Sequence, residues 1–238
     1  MRPLIDFVDV ADLEADREER TDGVRLKCLS QDPESGEASW YVEMDPGEPG
    51  RTIELGTLEE VFVLSGRLQS GGRELYRYSW AWSPEPLALG ADPQGGPATF
   101  LAFTRSAGAG RGSGEEAVID LPQLGWEAPR TGGFPPGGGR KTLRDHGENG
   151  AFWVLGLLPH WSSPFTESHT YLEENFLLEG EIETAVGVMT PGTYLVHPPG
   201  HVHGPMRTRS GALVITRAHG PFGNHYEHVE GYQFEEGA

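Results

Sequence analysis

The sequence predicts an all-β protein made of two copies of one short-stranded barrel domain. Three observations point there: a long internal repeat, apolar residues that alternate with a period of two, and an abundance of turn formers. Glycine (34) and proline (19) punctuate a chain of 238 residues, which favours many short strands over a helical bundle. The repeat is the strongest of the three. Leu58-Glu59-Glu60-Val61-Phe62-Val63-Leu64-Ser65-Gly66 returns 114 residues later as Leu172-Glu173-Glu174-Asn175-Phe176-Leu177-Leu178-Glu179-Gly180. The same offset relates Lys27 to Lys141, Leu29 to Leu143, Gly36 to Gly150, Pro84 to Pro198, Gly90 to Gly204 and Ala98 to Ala212. An offset that holds over such a stretch means two copies whose loops hardly differ in length.

Each copy reads as strands. Residues 38–44 are rich in aromatic and β-branched side chains and end at the turn signal Asp45-Pro46-Gly47. Residues 60–64 close on Ser65-Gly66, residues 99–104 are apolar, and Tyr76, Tyr78, Trp80 and Trp82 alternate strictly. In the second copy, 151–158, 174–178, 193–197 and 212–217 are the equivalents. This divides the chain into an acidic lead-in (1–22), a first barrel (23–105), a glycine-rich linker with a crossover strand at 117–122 (106–140), and a second barrel (141–238). The glycine-rich stretch 131–140 reads as a surface excursion. It is no phosphate loop, because it lacks the Gly-Lys-Ser/Thr ending.

The formal charge of −18 repels nucleic-acid backbones and anionic lipid, so neither is an expected partner. Many carboxylates fall between Asp6 and Asp22, a solvated run. Cys28 is the only cysteine. It allows no intrachain disulfide, fits a reducing compartment, and reads as a small buried hydrophobe. The N-terminal residues show no signal-peptide pattern and no apolar run is long enough for a membrane span. The expectation is a cytoplasmic protein, monomeric or homodimeric, acting on a small molecule.

The chemistry collects in the second copy. Glu167-Ser168-His169 alternates towards one face if extended, Glu173 opens the next strand, and His203 arrives after Pro198-Pro199-Gly200. Two imidazoles with one or two carboxylates suit Fe(II), Mn(II), Ni(II) or Zn(II). Taken singly, each residue is more often a surface or structural group, so it is the set at this spacing that argues for a metal. His197 and His201 flank the set as residues that would orient the ligands. Tyr171, Trp161 and Phe165 are candidates for an apolar substrate wall. His219, His225 and His228 lie in the C-terminal tail.

These spacings resemble those of the cupins, in particular the two-domain ChrR-like cupins. Cupins carry His-x-His, three or four residues, Glu, six residues, Gly, and then Gly, five residues, Pro-x-Gly, two residues, His. Here His169, Glu173 and Gly180 match the first motif, and Gly192, Pro198, Gly200 and His203 match the second. Glu167 stands where the first histidine is usual. The resemblance covers residues 25–220 and implies two double-stranded β-helix barrels of the jelly-roll type, with one divalent metal, Fe(II) first among the choices. It implies as ligands His169, Glu173, His203 and, as an open alternative to a general base, Glu167. Cupins include dioxygenases, decarboxylases, isomerases, hydrolases and binding proteins. Three readings follow: a dioxygenase-type or carbon–carbon bond-cleaving enzyme acting on a diketone or phenolic ketone, a redox-neutral isomerase or lyase, and a non-catalytic sensor. In the first copy the ligand positions map to Ile53, Leu55, Glu59 and Leu89, which leaves that barrel without a metal site.

Overall fold

The computed structural model of the chain describes residues 1–14, 17–20, 23–46, 52–54, 57–92, 94–106, 114–130, 132–230 and 234. Among the described residues the elements are all strands apart from two short 3-10 turns, and the chain divides into two compact units. The first unit comprises Met1–Pro3 and Val10–Gly125, the second Leu4–Asp9 and Trp126–Ala238.

The first unit has a seven-stranded sheet in the order Ala117–Asp120, Ser79–Trp82, Leu58–Ser65, Ala98–Thr104, Ala38–Met44, Val24–Gln31, Arg17–Arg20. Its smaller sheet runs Thr52–Glu54, Ala88–Ala91, Leu68–Ser70, Arg73–Leu75. The second unit has a six-stranded sheet in the order Ile5–Asp9, Thr193–His197, Leu172–Gly180, Ala212–His219, Ala151–Leu157, Gly138–Asp145. Ser162–Ser163, Met206–Arg207, Ile182–Thr184 and Gly187–Met189 form its second sheet, and Phe165–His169 pairs with Asn224–His228. A shift of 114 lays the Leu58, Ala98 and Val24 strands on the Leu172, Ala212 and Gly138 strands. The two sheet orders then agree, so the repeat seen in the sequence is a repeat of topology. The cross-strand pair Ile53↔Leu89 in the first unit is the counterpart of the bridge Glu167↔His203 in the second.

The first unit is filled with aliphatic and aromatic side chains, among them Leu58, Val61, Val63, Leu68, Leu75, Leu89 and Phe100, all fully buried. Each contributes about 1.5–3 kcal/mol relative to exposure. Leu89 is part of that core. Glu59, the one carboxylate retained from the ligand set, lies 3.4 Å from the Arg105 Nε. Leu55 lies outside the described residues.

Several elements differ from the sequence reading. The acidic lead-in hides two strands: Ile5–Asp9 pairs with Thr193–His197 in the second unit, and Arg17–Arg20 with Val24–Gln31 in the first. Its charges mask the apolar residues Ile5, Phe7 and Val8, although the offset of 114 also relates Ile5-Asp6 to Ile119-Asp120. Ala117–Asp120 does not cross into the second unit. It pairs with Ser79–Trp82 in the first, Ile119 opposite Trp80. The Tyr76–Trp82 alternation is interrupted, because Tyr78 takes a φ of 69°. Trp80 and Trp82 are buried while Tyr76 is exposed. Cys28 is only half-buried.

The glycine-rich stretch before Lys141 is no surface excursion either. The Gly138–Asp145 strand begins inside it, and Arg140 is buried. The glycines make room for rings. A Cβ on Gly138 would sit 2.2 Å from Phe134, and one on Gly156, in the neighbouring strand, 2.4 Å from Trp126. Among the described residues no helix is long and apolar enough to cross a membrane.

Candidate metal centre

Three segments of the second unit meet at one end of a cavity of about 300 Å³. Phe165–His169 brings Glu167 and His169, two residues apart and therefore on one face. Leu172–Gly180 brings Glu173. Thr193–His197 and the turn that follows bring His197, His201 and His203. Glu173 and His197 are direct cross-strand partners. The turn is anchored by its backbone: Glu167 N–H donates to the His203 carbonyl at 2.9 Å, His203 N–H donates back at 3.0 Å, and Gly200 N–H donates to the His169 carbonyl at 2.8 Å. Gly200 sits at a φ of 81°, a conformation that favours glycine, which is the physical content of the glycine in the Pro-x-Gly motif.

The side chains form a compact cluster. His169 Nε2 lies 3.3 Å from Glu173 Oε2, His197 Nδ1 lies 3.6 Å from the same oxygen, and His203 Nε2 lies 3.8 Å from it. His203 Nε2 is also 3.2 Å from Glu167 Oε1. Two groups of donors each lie within 4.8 Å of one another: Glu167, His169, His203, and Glu173, His197, His203. His203 belongs to both. The His169 ring stacks on Tyr171 with centroids 4.7 Å apart, and the Tyr171 hydroxyl donates to Asn224 Oδ1 at 3.3 Å, which fixes the plane of the imidazole.

The donor set fits a divalent metal. The His169 and His197 rings are buried with Glu173 Oε2 as their ionic partner, at 3.3 and 3.6 Å, but outside good hydrogen-bond geometry, an arrangement that a cation between them would improve. His203 Nδ1 approaches the His201 carbonyl at 3.4 Å. If Nδ1 carries the proton, Nε2 turns a bare lone pair to the Glu167 carboxylate, and a cation is needed between them. Electrostatics agree. Burial opposes a charge on His169, but the Glu173 carboxylate beside it outweighs burial and pushes the imidazole up to about 9. Burial likewise opposes the charge on Glu173, yet the surrounding histidines, His169 first, hold it well below the usual carboxylate range. Protonated His169 is the cationic companion that this buried carboxylate needs, a role that a bound divalent ion would take over. For His201, burial and then the neighbouring His197 and His203 lower the imidazole pKa.

Glu167, His169, Glu173 and His203, the four ligand candidates of the sequence, are thus brought together. His197, assigned an orienting role, stands among the donors themselves. Its sequence signal is indirect, since it follows only from knowing that Glu173 and His197 sit opposite each other. His201 lines the cavity 4.8 Å from His197, ring to ring. Of the three wall candidates Tyr171 lines the cavity and two do not. Trp161 is a core residue, stacked on Phe134 with its Nε1 donating to the Pro135 carbonyl. Phe165 packs edge-on against Tyr226 and His228. The wall is instead built by Phe7, Trp153, Leu155, Val214 and Phe222. Of the tail histidines, His219 accepts or donates at 2.7 Å with Glu174, and His225 and His228 sit on the strand that pairs with Phe165–His169.

Residues 115–223 match the family model described as the ChrR Cupin-like domain. No curated protein sequence matches the chain. Among solved structures, a putative dioxygenase from Nostoc punctiforme is similar with a TM-score of 0.73 at 20% identity, over 89% of this chain and 81% of that one. HEPD from Streptomyces albus, with 2-hydroxyethylphosphonate and Fe(II) bound, gives 0.64 at 9% identity, over 92% and 78%. An oxalate decarboxylase from Bacillus subtilis gives 0.59 at 12%, over 92% and 78%. At these identities the likeness is one of fold. The chain has an all-β, jelly-roll-type architecture.

Proposed function

We propose that this cupin-like domain is a metal-dependent enzyme acting on a small organic molecule, by a dioxygenase-type or carbon–carbon bond-cleaving reaction on a diketone or phenolic ketone. The observation that carries this reading is the convergence of the His169, His197 and His203 imidazoles on an ionised Glu173 at the end of a largely apolar cavity. His169, Glu173, His203 and either Glu167 or His197 would hold the metal. A divalent ion there supplies Lewis acidity towards a chelating pair of substrate oxygens and, as Fe(II), electrons for oxygen. The chain's own residues do the rest. Tyr171 and Asn224 fix the His169 ring, Trp153, in ring contact with Phe222 at 5.3 Å, offers an apolar flank to the substrate, and Glu167 faces the cavity where it could take a proton from a carbon next to a carbonyl.

Elemental analysis of protein purified without a histidine tag, followed by oxygen uptake over a panel of diketones and phenolic ketones, tests this reading. The expected result is about one equivalent of iron per chain and uptake that is lost on chelation. Iron-loaded protein that consumes no oxygen with any member of the panel would sink it.

A redox-neutral isomerase or lyase is the second reading, and one feature favours it. Glu173, His197 and His203 form a donor group without Glu167, which would leave Glu167 free as the base. Turnover with Zn(II) or Mn(II) under strict exclusion of oxygen is its expected signature. No anaerobic turnover with either ion would remove it.

A further inference from the structure

The cavity that receives the metal cluster has a second polar end, for which the metal reading has no use. Arg140 lines it and is 5% exposed. Strand pairing explains how a guanidinium comes to lie there. Arg140 sits opposite Leu155, Leu155 opposite Val214, and Val214 opposite Leu177. Leu155 and Val214 face the cavity, so Arg140 faces it as well. The row holding the cluster starts four residues away on the same strand: Ala151, Ala218, Glu173, His197. At ~3.3 Å per residue the two rows stand about 13 Å apart along the strand. Trp153 and Thr216 lie between them. The cavity is therefore ionic at both ends and mostly apolar in the middle.

Arg140 is under-used by its own surroundings. Its Nε is buried and donates to nothing. Its ion-pair partner is Glu127, 3.6 Å away, a carboxylate more than half exposed that also accepts from the Thr142 hydroxyl at 3.2 Å. Arg130 lines the same cavity, held by Asp145. Burial first and the like charge of Arg130 next lower the Arg140 pKa from its ordinary value. Arg140, a buried guanidinium on the cavity whose ion-pair partner is half-exposed, together with Arg130 beside it, offers the charge and planar fork that a planar anion would pair with. In a chain with a charge of −18 a buried arginine of this kind is not explained by solubility.

We propose that the cavity selects a small organic acid, presenting two oxygens to the metal cluster at one end and a carboxylate to Arg140 at the other. This rests on the metal reading for the first end and on Arg140 alone for the second. It narrows the substrate class from a neutral diketone or phenolic ketone to one bearing a carboxylate on a short apolar spacer.

Calorimetry with two probe pairs tests it. On metal-loaded protein, 4,6-dioxoheptanoate is expected to bind about tenfold or more tighter than the neutral heptane-2,4-dione, the margin of a charge-assisted bidentate contact. Arg140→Gln is expected to remove that difference, and Arg140→Lys, which keeps the charge but not the fork, to retain part of it. On chelator-stripped protein, 4-phenylbutyrate is expected to bind more tightly than 4-phenylbutanamide, again only with Arg140 present. Equal affinities within both pairs for the unaltered protein overturn the proposal without any variant having to fold. So does a preference that survives Arg140→Gln. A protein that binds no metal but still prefers 4-phenylbutyrate refutes the metal reading and leaves the acid subsite standing.

Discussion

Metal content is expected to fall from about one equivalent to almost nothing in the His169→Ala, His203→Ala double variant, with affinity lower by more than about 100-fold, since loss even of outer partners of a metal ligand costs 10–100-fold. The geometry also orders the single variants. His203 contributes to both donor groups, so His203→Ala should be the most damaging. His169→Ala leaves Glu173, His197 and His203 in place, and His197→Ala leaves Glu167, His169 and His203. Whichever of these two is worse names the group that holds the ion. Each alanine also strips one of three imidazole companions from the buried Glu173, and His169→Ala, which removes the partner that most lowers the Glu173 pKa, should cost the fold most. His203→Gln, which keeps bulk and one polar group, therefore accompanies His203→Ala, with circular dichroism reporting the fold and emission spectrometry the metal. A double variant that still holds a full equivalent would show that the site is elsewhere.

The fold was legible because the signal is a property of the backbone. The offset of 114 survives at turns and strand starts, where loop length and strand register are under constraint, and the larger sheets of the two units share one order over six strands. Glu167, His169, Glu173 and His203 were legible for a similar reason, since each sits at a fixed distance from a motif glycine or proline. What was hidden depended on contacts between distant segments. His197 becomes a donor only because antiparallel pairing puts it opposite Glu173. Arg140 sits in a run of glycines whose small size serves the Phe134 and Trp126 rings; by composition alone that run reads as loop. Phe7 and Asp6 line the cavity from within a stretch that its carboxylates mark as solvated. Trp161 misled in the opposite sense: it is close to the ligands in sequence, but its ring is spent in the core.

Gly180→Ala is expected to destabilise the second unit by about 3 kcal/mol or more, whether or not metal is present. Gly180 closes the first motif, and its role is not chemical. It has a φ of +81°, and a Cβ there would lie 1.8 Å from the Gly211 carbonyl oxygen, far inside contact. Its counterpart in the first copy, Gly66, has a φ of +74° and would put a Cβ 2.4 Å from the Pro97 carbonyl oxygen. The motif therefore separates into two parts. Its backbone part is kept in both copies because both sheets make the same tight approach, while its ligand part survives only in the second copy. Gly147→Ala isolates the conformational term, because Gly147 has a φ of +59° with nothing within 4 Å; it should cost about 1–2 kcal/mol, the penalty of a left-handed L-residue. Urea unfolding of the two variants, each with and without chelator, gives the comparison. If Gly180→Ala costs no more than Gly147→Ala, the close approach carries no energy, and the shared glycine loses its structural explanation. If its cost appears only with metal bound, the glycine belongs to the site after all, and the division of the motif drawn from the two copies fails.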